Sequence, residues 1–284
     1  HAAEAPADQL HGGTAAIAEN VAVDPEDVAA VVALAQQRGI DFVVVGPEAP
    51  LCAGVVDALA QAGIEAFGAH GAAAKLEGSK AFSKRFMQKH GVPTAGAAIF
   101  EDAEAATRYA RQAGKPLVVK ADGLAAGKGV IVAGSVEETV DAIDRVMRKR
   151  EFGAAGATVV LEELLVGEEV SFHVLLDGER GVPLVAAQDH KRLLDADRGP
   201  NTGGMGAYSP PPVVTAEIER LILERVVEPT LAGLRADGLL YRGVLFIGLM
   251  LVGGQPYVLE YNTRFGDPET QVLTARFEGD LLAL

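Results

Sequence analysis

A single cysteine, Cys52, stands in the 284 residues. One thiol cannot build an internal disulfide framework, and the count fits a reducing cytosol. Cys52 lies in an apolar helical stretch, where packing rather than catalysis is its expected role. Long hydrophobic runs are also missing: no uncharged apolar stretch reaches about 18 residues, so no membrane-spanning helix is expected. The first residues, His1-Ala-Ala-Glu-Ala-Pro6, lack the basic start and apolar core of a secretory leader, and none is expected. Positive charge is scarce. The 25 Lys and Arg against 39 Asp and Glu leave a formal net charge of −14. A general nucleic-acid binder needs a basic face, so that class is not expected. A small anionic ligand would need a local concentration of Lys and Arg; over the remaining surface the acidity reads as solubility. No Ser-His-Asp or Cys-His pattern is evident, and no protein nucleophile is expected.

What the chain has is apolar mass and glycine-rich punctuation. With 49% hydrophobic residues it can fill real cores, and its length suits one large or two to three small domains. The stretch that organises it is Lys120-Ala-Asp-Gly-Leu-Ala-Ala-Gly-Lys-Gly-Val130. Apolar runs on both sides, Leu117-Val118-Val119 and Val130-Ile131-Val132, predict a strand leading in and a strand leading out. Gly123, Gly127 and Gly129 free the backbone for close approach to a ligand, and Lys120 and Lys128 bring two cations. Backbone amides with ammonium groups suit a polyphosphate. A Walker A loop is excluded: the spacing from Gly123 to Gly127 is one residue short, Gly129 stands where the metal-binding hydroxyl belongs, and a β-branched strand follows instead of a helix. An ordinary glycine-rich turn would read the same way.

Along the chain, Asp24-Pro25 predicts a helix start with Asp24 as cap, and Gly39 a stop. Phe42-Val-Val-Val45 reads as a buried strand of a parallel sheet, Gly46-Pro47-Glu48 as its turn, then a helix to Ala62 and a strand near 64–67. Such α/β units usually open with a strand and a ligand-binding turn. That strand is expected to lie before this sequence begins. A helix opens at Ser79-Lys80, followed by a strand at 97–100, a helix at 103–113 and the phosphate hairpin. Ser135-Val-Glu-Glu138 is a capping box for a helix reaching Arg150. Strands are expected at 158–165, 170–176 and 183–188, with Asp177-Gly178 as a hairpin turn. Residues 190–212 read as a long Gly/Pro-rich loop, functional or disordered. A helix over 215–236 bent at Pro229, strands at 244–252 and 256–261, and the start of a last helix at 280–284 complete the pass.

Three further groups carry candidate chemistry. Glu162, Glu163, Leu164 and Leu165 end a strand, and the backbone there could pair with an adenine edge, with Glu169 placed for ribose hydroxyls. A strand end with solvated glutamates is the plainer reading. Glu260 and Asn262 share one strand face, Tyr261 faces the core, and two oxygen ligands suit a magnesium ion whose other ligands are phosphates and water. Arg264 follows as a fork for carboxylate or phosphate. In the long loop, Asp189, Lys191 and Arg192 at the entrance and Asn201, Thr202 and Gly203 in the middle suit a flap closing over phosphates.

The order of these pieces, with Gly46-Pro-Glu-Ala-Pro-Leu51, Leu76-Glu-Gly-Ser-Lys80, Gln188-Asp-His-Lys-Arg192, Gly199-Pro-Asn-Thr-Gly-Gly-Met-Gly-Ala-Tyr-Ser-Pro210 and Arg264-Phe-Gly-Asp-Pro-Glu-Thr270, resembles the ATP-grasp enzymes. Within them it is similar to the glycinamide ribonucleotide synthetase family. The resemblance implies an α/β (α+β ATP-grasp) fold, in which a partial N-terminal α/β parallel-sheet domain (1–78) precedes a two-subdomain ATP-grasp unit (79–284) with ATP between antiparallel sheets. Residues 120–166 would carry the phosphate hairpin and adenine hinge. The family's C-terminal domain is expected to lie outside this sequence.

The resemblance assigns nucleotide contacts to Lys80, Lys120, Gly127, Lys128, Gly129, Glu162, Glu163, Leu164, Leu165, Glu169, Arg192 and Asn201. It assigns metal ligation (Mg²⁺ or Mn²⁺) to Glu260 and Asn262, and the reacting centre to Arg264 and Lys191. Pro47, Glu48, Asp189, Thr202, Gly203 and Asp267 would face the substrates. The strand 244–250 lacks the further metal carboxylate that many ATP-grasp enzymes carry. The implied chemistry activates glycine as glycyl phosphate with ATP and passes it to the amine of 5-phosphoribosylamine. The partners are then small molecules, and a cytoplasmic monomer is expected. Two other readings stand beside it: an ATP-grasp ligase for a different acid and amine, and an ATP-binding fragment without catalysis.

Overall fold

The computed structural model describes residues 15–124, 129–195 and 198–281. In chain order the elements are α1 (Val28–Arg38), β1 (Phe42–Val44), α2 (Glu48–Cys52), α3 (Val55–Gln61), β2 (Glu65–Ala69), α4 (Gly71–Gly78), α5 (Lys80–Lys89), β3 (Ala97–Phe100), α6 (Ala103–Ala113), β4 (Leu117–Ala121), β5 (Val130–Val132), α7 (Val136–Ile143), β6 (Val159–Glu163), β7 (Glu168–Asp177), β8 (Gly181–Pro183), β9 (Gln188–Asp189), β10 (Arg192–Leu194), β11 (Arg198–Asn201), β12 (Ala207–Tyr208), α8 (Ala216–Ile222), α9 (Glu228–Ala236), β13 (Tyr241–Val252), β14 (Gln255–Asn262) and α10 (Glu269–Arg276).

Two sheets face the site. The small one runs β3-β6-β4-β5, all antiparallel, and packs its inner side on α6 and α7 through Ala106, Ala110, Leu117, Val119, Ile143 and Leu161. The large one runs β1-β2-β13-β7-β8, with β14 also on β13. Its β1–β2 pair is parallel, whereas β13 pairs antiparallel with β2, β7 and β14. One continuous sheet therefore joins strands from both sides of residue 78. Phe172, Leu245, Ile247, Leu249, Val258 and Tyr261 form its core face, packed with Phe86 and Met87 of α5.

Several elements differ from expectation. Asp27, not Asp24, caps α1, accepting from the Ala30 amide at 3.0 Å; Asp24 instead closes a turn at the Glu26 amide. The helix expected to reach Ala62 breaks after Cys52, where Gly54 takes φ 87°, a value open to glycine. The strand expected over 183–188 is displaced: β8 ends at Pro183, and only a single bridge, Ser171 with Ala187, precedes β9. The long loop is partly ordered pairing, with β10 against β11 and β12 against β9. The 215–236 helix is interrupted by a π-turn over Leu223–Val227. Pro229 has no N–H to give the ladder, which loosens ahead of it. Of the helix expected over 280–284, residues 282–284 lie outside the described residues; among the described ones the last helix is α10, unforeseen because its apolar spacing is weak. Among the described residues no helix is long and apolar enough to cross a membrane.

Candidate functional site

The site lies on the second face of the large sheet and is opened by the alternation of three strands. On this face Ser171 and His173 of β7, Phe246 and Gly248 of β13, and Glu260 and Asn262 of β14 lie side by side: His173 opposes Phe246, which opposes Asn262, and Ser171 opposes Gly248, which opposes Glu260. The register between β13 and β14 then shifts: Gly248 pairs with Glu260 and Leu249 with Val258, so Leu259 is skipped. This bulge lets Val258 and Tyr261 both face the core while Glu260 and Asn262 face the site. Tyr261 is anchored by a 2.6 Å hydrogen bond with Thr230 Oγ1. Gly248 leaves room for Glu260, whose Cγ would lie 3.3 Å from an added Cβ.

Cations converge on Glu260. Burial alone would raise its pKa, but Lys120, Lys191, Lys80 and Arg264 outweigh that and hold it below the usual carboxylate range. Each cation comes from a different element. Lys80 opens α5, capped by Ser79, and its Nζ donates to Gly123 O at 3.0 Å. Burial lowers its pKa. Lys120 is the second-last residue of β4 and donates to the skipped carbonyl of Leu259 at 3.0 Å, while lying 3.1 Å from Glu162 Oε2. Lys191 leads into the flap, 3.2 Å from Glu169 Oε2 and 3.8 Å from Asp189 Oδ2. Burial would lower its pKa, but those carboxylates and Glu260 raise it. Asp189 is itself raised by burial. Arg264 follows β14 and meets Glu48 Oε2 at 3.4 Å and Glu77 Oε1 at 3.2 Å.

The hairpin base is built for close packing. Gly123 has φ 142°, and a Cβ there would meet Ala155 Cβ at 2.9 Å. Asp122 accepts from Ser79 Oγ and the Ala81 amide, which ties the hairpin to the start of α5. Gly129 closes it, its carbonyl accepting from the Ala121 amide. Gly127 and Lys128 lie outside the described residues. Of Arg192 and Asn201 the backbone is described: they pair across β10 and β11.

The remaining expected residues divide. Glu163 ends β6, and Leu164 and Leu165 lead on towards β7, a connection between the two sheets, but the Glu163 side chain turns outward to Lys115. Glu162 is buried and faces two lysines instead of a free edge. Pro47 precedes α2, whose first residue, Glu48, reaches Arg264. Thr202 folds back on Lys191 O through both its amide and its hydroxyl. Gly203 is exposed with open space about it, and Asp267 is exposed and engaged by Gln271. These two are not drawn into the cluster.

Sequence reasoning missed two residues of the site. Glu77 accepts from the Thr263 amide at 2.6 Å and Oγ1 at 3.1 Å while pairing with Arg264; it sat inside the quoted Leu76–Lys80 segment without a role. His173 was read only as part of a strand, yet its ring is wholly buried, stacks on Phe246 at 4.4 Å and has both nitrogens without a hydrogen-bond partner among the described residues. No local pattern marks either.

The donor set fits a divalent ion only in part from protein: Glu260 and Asn262 offer two oxygens on one face. Among the described residues no group of three or more His, Cys, Asp or Glu could hold a metal ion. A hard cation that keeps water and phosphate ligands needs no more.

The family model described as phosphoribosylglycinamide synthetase, ATP-grasp (A) domain, matches residues 78–270, and that of the N domain matches residues 5–77. A phosphoribosylamine–glycine ligase of Vibrio parahaemolyticus serotype O3:K6 is 55% identical over 267 residues, covering 94% of this chain and 62% of the relative. One of Allochromatium vinosum is 53% identical over 277 residues, covering 96% and 65%. The chain thus spans under two thirds of the length of these relatives. The crystal structure of phosphoribosylamine–glycine ligase from Thermotoga maritima superposes with a TM-score of 0.80 at 36% identity, covering 93% of this chain and 63% of that one. Biotin carboxylase from Campylobacter jejuni, solved as a β,γ-ATP complex, shares the fold with a TM-score of 0.71 at 20% identity.

Proposed function

Because the chain belongs to the phosphoribosylglycinamide synthetase family, we propose that it carries the ATP-grasp portion of an enzyme that joins glycine to 5-phosphoribosylamine with ATP. The observation that carries this reading is the convergence of Lys80, Lys120, Lys191 and Arg264 on the single carboxylate of Glu260. In a chain of net charge −14 such a concentration of cations has a use: it suits a polyphosphate and a transferring phosphoryl group.

In this reading ATP lies between the two sheets, its adenine along the β6–β7 connection and its phosphates under the β4–β5 hairpin. Lys80 and Lys120 hold the phosphates, and Glu260 and Asn262 hold a divalent ion, Mg²⁺ or Mn²⁺, that would offset phosphate charge. Arg264, fixed by Glu77 and Glu48, orients the glycine carboxylate for attack on the γ-phosphorus. Lys191 neutralises the charge that builds on the transferring group. The carboxylate oxygen forms a bond to phosphorus as the bond to ADP breaks, giving glycyl phosphate. The amine of phosphoribosylamine then attacks the acyl carbon, phosphate leaves with the bonding pair, and the proton shed by the nitrogen goes to the departing phosphate. Catalysis is by positioning and charge neutralisation, without a protein nucleophile.

The test is product formation by the full chain with Mg²⁺·ATP. Glycine-dependent ADP release with phosphoribosylamine, and the corresponding amide by mass spectrometry, is the expected outcome. ADP release that follows another acid and ignores glycine would move the chain to a different ligase activity.

A further inference from the structure

Helix α5 carries two lysines one turn apart, Lys80 and Lys84, which therefore project to the same side. Lys80 reaches the hairpin. Lys84 turns inward and is almost wholly buried. Its Nζ lies 3.1 Å from Glu162 Oε2 and donates to Thr94 Oγ1 at 2.5 Å; Thr94 in turn donates to Val258 O at 2.6 Å. Lys120 lies 3.1 Å from the same Oε2 atom. One carboxylate oxygen is thus shared by two ammonium groups, while Glu162 Oε1 has no hydrogen-bond partner among the described residues.

Charge decides what this arrangement does. Two buried ammoniums share one carboxylate oxygen at this spot, and Lys120 has a second carboxylate, Glu260, near it. A buried charge without a partner is costly, so Glu162 holds whichever ammonium is at hand. Lys120 is the member of the trio that also faces Glu260 and the base of the hairpin. With Lys84 absent, Lys120 alone would balance Glu162, and less of its charge would be left for the hairpin side. Lys84 also bridges structure: through Thr94 it ties α5 and β6 to β14, the strand that presents Glu260 and Asn262.

We propose that Lys84 is a positioning residue of the nucleotide site: it neutralises Glu162 so that Lys120 keeps its charge for the ATP phosphates. The inference rests on the ATP reading of the site given above.

The test compares ATP with adenosine, which has no phosphates, by calorimetry on the full chain. Lys84→Met is expected to raise the ATP dissociation constant roughly tenfold or more, as the loss of a charge-assisted contact does, and to leave that of adenosine unchanged. The double variant Lys84→Met/Glu162→Gln removes both buried charges and is expected to bind ATP within about threefold of the wild type. Should Lys84→Met alone not fold, the double variant, which removes the buried lysine and its carboxylate together, decides the proposal. An unchanged ATP constant in Lys84→Met overturns the proposal. So does a double variant as weak as Lys84→Met, or weakened about tenfold from the wild type, or a parallel loss for ATP and adenosine. A wild-type chain that does not bind ATP contradicts the nucleotide reading itself, and this proposal with it.

Discussion

The ammonium of Lys120 donates to the carbonyl of Leu259, the residue that the β13–β14 ladder skips. The bulge does two things at once. It frees a carbonyl that the ladder would otherwise use, and it reverses the strand's parity so that Glu260 and Asn262 face the same space as Lys120. The β4–β5 hairpin of the small sheet is thereby locked to β14 of the large one.

Replacing Lys120 tests that lock. Lys120→Ala should weaken ATP binding by about 1.5–3 kcal/mol, the cost of a lost charge-assisted hydrogen bond, while Glu162 keeps Lys84 as partner. Calorimetric titration with ATP checks it, and unchanged affinity would remove Lys120 from the phosphate contacts.

Glu260→Gln keeps the shape of the side chain and removes the charge on which four cations converge. The variant should need a higher Mg²⁺ concentration for half-maximal ATP binding. A metal titration that superposes on the wild type would strike Glu260 from the ligand set.

Glu77 holds Arg264 and the start of the segment after β14 together, with the Thr263 amide and hydroxyl on one oxygen and the guanidinium on the other. Glu77→Ala orphans those donors in a largely buried setting. A loss of about 1–3 kcal/mol is expected from the urea midpoint, together with a rise in KM for glycine. Unaltered stability would mean that Arg264 is oriented without it.

His173 gives a prediction in pH. Burial, reinforced by nearby Arg264, pushes its imidazole down from 6.5 to about 3. It is neutral in the fold yet takes a proton in the unfolded chain below about pH 6.5, so the unfolded state binds more protons between those values. Stability therefore falls as pH drops from about 6.5 towards 3, by an amount on the order of a few kcal/mol. His173→Leu should flatten that acid limb and should not destabilise the fold at pH 7, since no hydrogen bond among the described residues is lost. Urea midpoints measured across the range check it; parallel curves for the two proteins would assign the acid loss to other groups.

Much of this architecture was legible because it rests on local chemistry. The strands flanking Lys120–Val130 follow from β-branched runs, and the shared face of Glu260 and Asn262 follows from alternation. What was not legible depends on contacts distant in sequence. Glu162 read as a hinge residue, but its side chain is claimed by lysines 78 and 42 positions away, Lys84 and Lys120. Glu77 and Thr263 meet across 186 residues. The Leu259 bulge left no mark, because Val258-Leu259-Glu260 reads as unbroken alternation until its partner strand is known. The start of α1 was misplaced for a simpler reason: Asp24 and Asp27 are both good caps, and only the turn that Asp24 closes decides between them.

The most direct measurement of where ATP sits is a crystal structure of the chain with Mg²⁺ and a non-hydrolysable ATP analogue. Phosphates on Lys80 and Lys120, the metal on Glu260 and Asn262, and the adenine beside the β6–β7 connection are the expected result. A nucleotide bound elsewhere, or one whose phosphates leave Lys120 on Glu162 and Leu259 untouched, would contradict it.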